Sequence, residues 1–176
     1  LVGGEGPYTE ELKRAGVPFR SLKYLTRPIR PAQDCLALTE IRRHLISLRP
    51  DLVSTHSSKA GWLGRLVSRL LKIPVIFTAH GWAFTDGVPG FEQRVYVNAE
   101  RLTAPLADKI ITVSEFDRQL ALKYRVGRPE SIVTVHNGMP DIEPEFYAVP
   151  DKSPPRIIMV ARFEPQKDHR TLIEAL

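Results

Sequence analysis

Short runs of apolar and β-branched residues alternate along the chain with longer stretches in which apolar residues recur every three or four positions. The runs occupy 18–22, 51–55, 74–78, 109–113, 132–135 and 156–160, and several are nearly continuous in apolar residues. A strand covered on both faces has no solvent side to keep polar, so these runs read as strands of a parallel sheet. Between them, Leu63, Leu66, Val67, Leu70 and Leu71 give 59–72 one apolar helical face. Val95, Ala99, Leu102 and Leu106 stripe 91–106 in the same way, with Pro105 placed to end or kink that helix. Ser114, with Asp117 three positions on, is a capping-box-like start for a helix through Tyr124. Strand and helix alternating at this spacing predict βαβ units: an α/β fold with a Rossmann-like parallel sheet flanked by helices.

The prolines divide the chain. Pro50 and Pro74 precede strands, where an extended φ suits them. Pro140, Pro144, Pro150, Pro154 and Pro155 crowd a stretch of little periodicity, after which a fresh strand–helix pattern opens at Arg156. The expected organisation is one α/β domain over 1–139, a proline-stiffened linker over 140–155, and the first strand and helix of a second domain over 156–176. The chain opens at Leu1 inside a strand-like run and stops within a helical pattern at Leu176, so it reads as a fragment truncated at both ends.

Composition then narrows the classes. With 43% hydrophobic and 26% charged residues the chain suits a globular fold rather than disorder. Cys35 is the single cysteine, which excludes an internal disulfide and a cysteine-rich zinc site. No apolar run approaches bilayer-spanning length. A net charge of +5 hints at an anionic partner. The basic residues are dispersed rather than interleaved with aromatics, so nucleic acid is not the expected one. The spacings of the dinucleotide, P-loop, zinc-protease and nucleophile-elbow motifs do not occur.

The candidate chemistry is a matter of position. His56, His80 and His136, three of the five histidines, stand at or just past the ends of expected strands. That edge of an open parallel sheet is where ligands bind, because helix N-termini point to it and the first polar residue after a strand can reach a ligand. His56-Ser57-Ser58-Lys59 opens a helix and suits a phosphate or sugar hydroxyls; equally, a serine there can simply cap the helix, with Gly61 and Gly64 allowing close packing on the sheet. Gly81 frees the backbone after His80, an imidazole that either serves a site or bonds a loop carbonyl. Trp82 and Phe84 can stack on a sugar or seal the core. Asn137-Gly138 reads first as a tight turn. Arg162 and Lys167 flank a strand-to-helix loop and can grip a diphosphate or form surface ion pairs.

Taken in order, 55–65 (THSSKAGWLGR), 78–81 (TAHG), 136–139 (HNGM) and 161–168 (ARFEPQKD) resemble glycosyltransferase family 4, closest to its capsular and exopolysaccharide branch. The resemblance implies a retaining, nucleotide-sugar-dependent enzyme of two facing Rossmann-like domains, the GT-B arrangement, with 1–139 as the acceptor-side domain. It implies that His80 lies near the transferred sugar as the catalytic residue, and that Arg162 and Lys167 neutralise the donor diphosphate as it leaves. It places His56, Ser57, Ser58 and Lys59 on an acceptor-side loop and Asn137-Gly138 at the hinge between domains. No metal or other cofactor is expected, because the positive pair takes that part.

Against the family pattern, the opening strand with its glycine-rich loop and the two-glutamate motif of the second domain are missing, so the fragment by itself is expected to be inactive. The partners implied are a nucleotide-sugar donor and a glycan or polyprenyl-linked acceptor. Peripheral contact with an anionic membrane on its cytoplasmic face and self-association of the fragment are further expectations. The rivals are a same-fold nucleotide-sugar epimerase and a non-catalytic sugar-binding module.

Overall fold

The computed structural model describes every residue except Glu5, Asp86, Gly87, Pro150, Lys152, Pro155 and 164–166, and, of Pro7, the backbone only. The chain divides into two compact units, Leu1–Asn137 and Gly138–Leu176. In the first unit the elements run β1 (Val2–Gly3), α1 (Pro7–Arg14), β2 (Ser21–Leu22), α2 (Pro31–Leu48), β3 (Val53–His56), α3 (Ser58–Leu70), β4 (Val75–Ala79), α4 (Gly90–Thr103), β5 (Lys109–Thr112), α5 (Glu115–Lys123) and β6 (Ile132–Thr134). The second unit contains the short helix α6 (His169–Glu174).

Strands β3-β4-β5-β6 form a four-stranded parallel sheet in sequence order, while β1 and β2 pair parallel in a separate two-stranded sheet. Thr55, Phe77, Ile110 and Ile132 stand in register across the larger sheet. Over Phe77 and Ile110 the core takes Val97 from α4 and Leu120 and Ala121 from α5, and Gly61 of α3 lies against the Phe77 ring. The three helices therefore cover one face of the sheet. An α/β, Rossmann-like architecture is what the alternation of runs predicts. The start of α5 is also as expected: the Ser114 hydroxyl accepts the Asp117 amide at 3.0 Å.

Two helices bury only part of the apolar stripe their spacing suggests; in α3 Val67 is buried, and Leu63, with Leu71 at the helix end, packs half-buried into a cluster with Ile41 and Leu45 of α2. In α3 the buried residues are Gly61, Gly64, Arg65, Val67 and Ser68, while Leu66 and Leu70 are exposed. In α4 Val97 and Glu100 are buried, while Val95 and Leu102 are exposed. The reason is closeness. A Cβ on Gly61 would lie 2.6 Å from the Phe77 ring, and one on Gly64 2.5 Å from the Thr55 methyl, so the glycines let α3 sit directly on the sheet. Small residues and a paired charge fill the contact with the sheet, while Leu63, Val67 and Leu71 pack toward α2.

A third difference is the run 156–160, expected as a strand. It joins no ladder, and Ile157, Ile158 and Val160 are exposed. A strand is defined by hydrogen bonds to a neighbour, and apolar composition cannot supply one.

Candidate functional site

The carboxyl ends of β3 and β4 bring two of the three strand-end histidines into contact. His56 Nδ1 and His80 Nε2 are 2.9 Å apart, one ring donating and the other accepting, and the rings stack with centroids 5.2 Å apart. Ser54 Oγ lies 3.2 Å from the other His56 nitrogen, so a hydroxyl and two imidazoles form a short polar chain along the edge. Both histidines are exposed at that edge. Partial burial, and after it the neighbouring His80 ring, hold His56 below the ordinary imidazole value. His136 stands two residues beyond β6, also exposed.

The loop after His80 is tied down from beneath. Gly81 has φ +116°, a conformation that favours glycine. Trp82 and Phe84 turn into the core and stack with centroids 5.0 Å apart, and the indole N–H of Trp82 donates to the Asp117 carbonyl at 2.8 Å. These aromatics seal the core. Gln93 Nε2 donates to the Phe84 carbonyl at 3.0 Å, fastening the same loop to α4.

The 56–59 segment departs from a plain helix cap. Neither serine hydroxyl caps α3, and Ser57 holds φ 64°, ψ 152°, a region that a serine occupies only under strain. The first amide groups of α3 are thus left facing the edge that carries the histidines. Lys59 does not face that edge as a free cation. It pairs with Asp34 of α2 and donates to the Pro28 carbonyl, and both ends of the ion pair are largely buried.

Asn137 and Gly138 form no tight turn and neither has a positive φ; the boundary between the two compact units falls between them. Arg162 and Lys167 are exposed in the second unit, with 164–166 of the loop between them outside the described residues. Each is described within its own unit, as His80 is within the first.

Sequence reasoning missed two features. Arg65 and Glu100 form an ion pair at 2.7 Å with both side chains wholly buried. Glu100 also accepts the Trp62 indole N–H at 2.8 Å, and Arg65 donates to the Gly61 carbonyl at 2.9 Å and lies 4.1 Å over the Phe77 ring. Burial pushes the Glu100 carboxyl up, against the opposing pull of Arg65 and Trp62. The second is Glu115, first residue of α5 at the site edge, whose carboxylate accepts from Gln119 at 2.6 Å and from Thr134 at 3.0 Å. Those bonds lower its pKa. Its place after a strand was a readable signal; the burial of Arg65 was not. Among the described residues, the recess lined by Arg69, Lys72, Ile73, Pro74 and Asp108 lies at the opposite edge of the sheet, before β4, and has no part in the histidine site.

A family model described as a glycosyl transferase 4-like domain matches residues 1–138. The chain is 32% identical over 139 residues to an Escherichia coli UDP-Gal:α-D-GlcNAc-diphosphoundecaprenol α-1,3-galactosyltransferase, covering 78% of this chain and 35% of that protein. It spans about a third of the length of the relatives it matches. Among solved structures it is similar to HepE from Anabaena in complex with UDP, with a TM-score of 0.59 at 18% identity, covering 77% of this chain and 35% of that one. The UDP-GlcNAc 2-epimerase of Methanocaldococcus jannaschii is similar at a TM-score of 0.52 and 22% identity over 72% of this chain and 34% of that one. These structures share the fold.

Proposed function

We propose, because the chain belongs to the glycosyl transferase 4-like family, that the whole protein transfers a sugar from a nucleotide donor to a lipid-linked acceptor. The observation that carries the reading is the His56–His80 pair at the carboxyl edge, in contact at 2.9 Å and backed by a loop anchored in the core. The relative named for a diphosphoundecaprenol acceptor and the UDP-bound fold neighbour support the acceptor and donor classes.

In this reading His80 lies against the transferred sugar and stabilises the positive charge that develops as the glycosidic bond to the diphosphate breaks. His56 bonds one of its nitrogens and so fixes the ring and its tautomer. Arg162 and Lys167 take up the negative charge appearing on the leaving diphosphate, a fork and a point charge respectively. That electrostatic work needs no metal ion, and transfer proceeds with retention at the sugar carbon. The enzyme works at the cytoplasmic face of the membrane, where a polyprenyl diphosphate presents its head group. The chain Leu1–Leu176 alone is inactive.

The test is a turnover assay on the whole protein with nucleotide sugars and a polyprenyl-diphosphate acceptor. His80→Ala should cut kcat more than donor affinity; Arg162→Ala and Lys167→Ala should weaken donor binding; a chelator should leave turnover unchanged. NMR of the product anomer reports retention. Equal activity of His80→Ala and wild type removes the catalytic role. Interconversion of the nucleotide sugar without any acceptor gives the site to an epimerase instead, and transfer by Leu1–Leu176 alone overturns its inactivity.

A further inference from the structure

Leu66 and Leu70 of the apolar stripe of α3, and Val95 and Leu102 of that of α4, are left uncovered. Phe91 (80% exposed), Val95 (41%) and Leu102 (76%) fall on one face of α4, at intervals of four and seven residues. On the adjacent helix, Leu66 (37%) and Leu70 (69%) are one turn apart on the outer side of α3. The helices pack against each other on the same sheet face, and the half-buried rings of Trp62 and Tyr96, 6.2 Å apart, bridge the groove between them. The two outer faces therefore make one apolar strip.

The charges around the strip have one dominant sign. Among the described residues, Arg69, Lys72, Arg94 and Arg101 are exposed on these two helices and their ends, against Glu92 on α4 and Asp108, which lines one recess with Arg69 and Lys72. Arg65 and Glu100 neutralise each other inside. Apolar side chains flanked by cations match an anionic lipid surface, where the former enter the acyl boundary and the latter meet the head groups. A second copy laid on this face by a two-fold axis would set the same cations against themselves.

We propose that the outer face of α3 and α4 is the surface by which the protein docks on an anionic membrane. The strip begins at Phe91, in the first turn of α4, and that helix starts at the sheet edge that carries His80. Lying on this face, the protein would hold its site edge at the level of the head groups. The inference rests on the lipid-linked acceptor proposed above and names the surface that brings the enzyme to it.

The test is co-sedimentation of the whole protein with large vesicles of phosphatidylglycerol and phosphatidylcholine in equal parts, and with phosphatidylcholine alone. Binding should require phosphatidylglycerol and weaken with added salt. Phe91→Ser and Leu102→Ser should each weaken it roughly tenfold. Arg94→Gln should weaken it about fivefold. Tyr8→Ser, an equally exposed aromatic on α1, should leave it unchanged, and Phe91→Trp should retain it. Absence of binding, or full binding by Phe91→Ser and Leu102→Ser together, overturns the proposal, as does a dimer in solution that those substitutions dissolve. Transfer to a water-soluble short-chain acceptor separates the two readings. An active enzyme that ignores vesicles sinks the docking surface alone, whereas wild-type inactivity on that acceptor sinks the transferase reading and leaves the vesicle result standing.

Discussion

Removing one half of the Arg65–Glu100 pair should do far more damage than removing both, and the two single variants should differ from each other. Both side chains are wholly buried, with 2.7 Å between Arg65 Nη2 and Glu100 Oε2. Glu100→Leu leaves a guanidinium that cannot shed its charge inside the helix–sheet layer, a loss of about 3–5 kcal/mol. It also deprives the Trp62 indole N–H of its acceptor, which costs a further ~1 kcal/mol or more. Arg65→Met leaves a carboxyl that burial already pushes up, that still holds Trp62, and that can take a proton. Its loss should therefore be smaller, about 2–3 kcal/mol.

The double variant Arg65→Met/Glu100→Leu should fall within about 1–2 kcal/mol of wild type, since packed apolar residues replace a desolvated pair at little net loss. Arg65 Nη1 already has no hydrogen-bond partner among the described residues, which makes the pair easier to replace. Urea unfolding followed by far-UV circular dichroism at pH 7 and pH 5 measures all three. A folded-state carboxyl pKa above the unfolded value makes stability rise as pH falls. Arg65→Met should therefore recover part of its loss at pH 5, and Glu100→Leu should not. If Glu100→Leu does not fold, Glu100→Gln, which keeps the Trp62 bond, should still lose stability. A loss below ~1 kcal/mol for either Glu100 variant, or a double variant worse than both singles, would refute the reasoning.

Three further outcomes follow from local geometry. Gly61→Ala and Gly64→Ala should each destabilise by about 1–3 kcal/mol in the same unfolding experiment, because the new methyl meets Phe77 or Thr55 well inside contact distance. Ser57→Gly should raise stability by ~1 kcal/mol through relief of its positive φ, while Ser57→Ala should give no gain; equal effects would remove the strain argument. His56, held low mainly by burial, binds fewer protons folded than unfolded. Its contribution is therefore complete above about pH 6.5 and is lost as pH falls from there through the folded value. Unfolding midpoints taken across that range should slope downward with acid, and His56→Asn should flatten the slope.

How much of this was legible beforehand depends on whether the signal was local. The strand runs of the larger sheet, the Ser114 cap and the order βαβ were readable because they follow from the chain's own periodicity. So was the role of Gly61 and Gly64, since a glycine pair at helical spacing has few reasons to sit over a sheet. The strand-end positions of His56 and His80 were readable; their 2.9 Å contact was not, because only the register of β3 against β4, which sets His56 opposite Thr78, brings His80 within reach just past the strand. The same holds for Lys59, whose charge is taken by Asp34 from a helix twenty-five positions earlier.

The sequence by itself determined the fold class, the edge that carries the chemistry and the ordered motifs of a glycosyl transferase 4-like domain. The tertiary structure decided which part of each apolar stripe faces inward: Leu63 and Val67 of α3, with Leu71 at its end, pack toward α2, while Leu66, Leu70, Val95 and Leu102 are left outside. Two glycines brought α3 close enough that Arg65 and Glu100 could satisfy each other within the layer, and Leu66 and Leu70 were left facing outward. Periodicity reports that a helix has an apolar face; what that face meets is settled by distances between elements far apart in the chain.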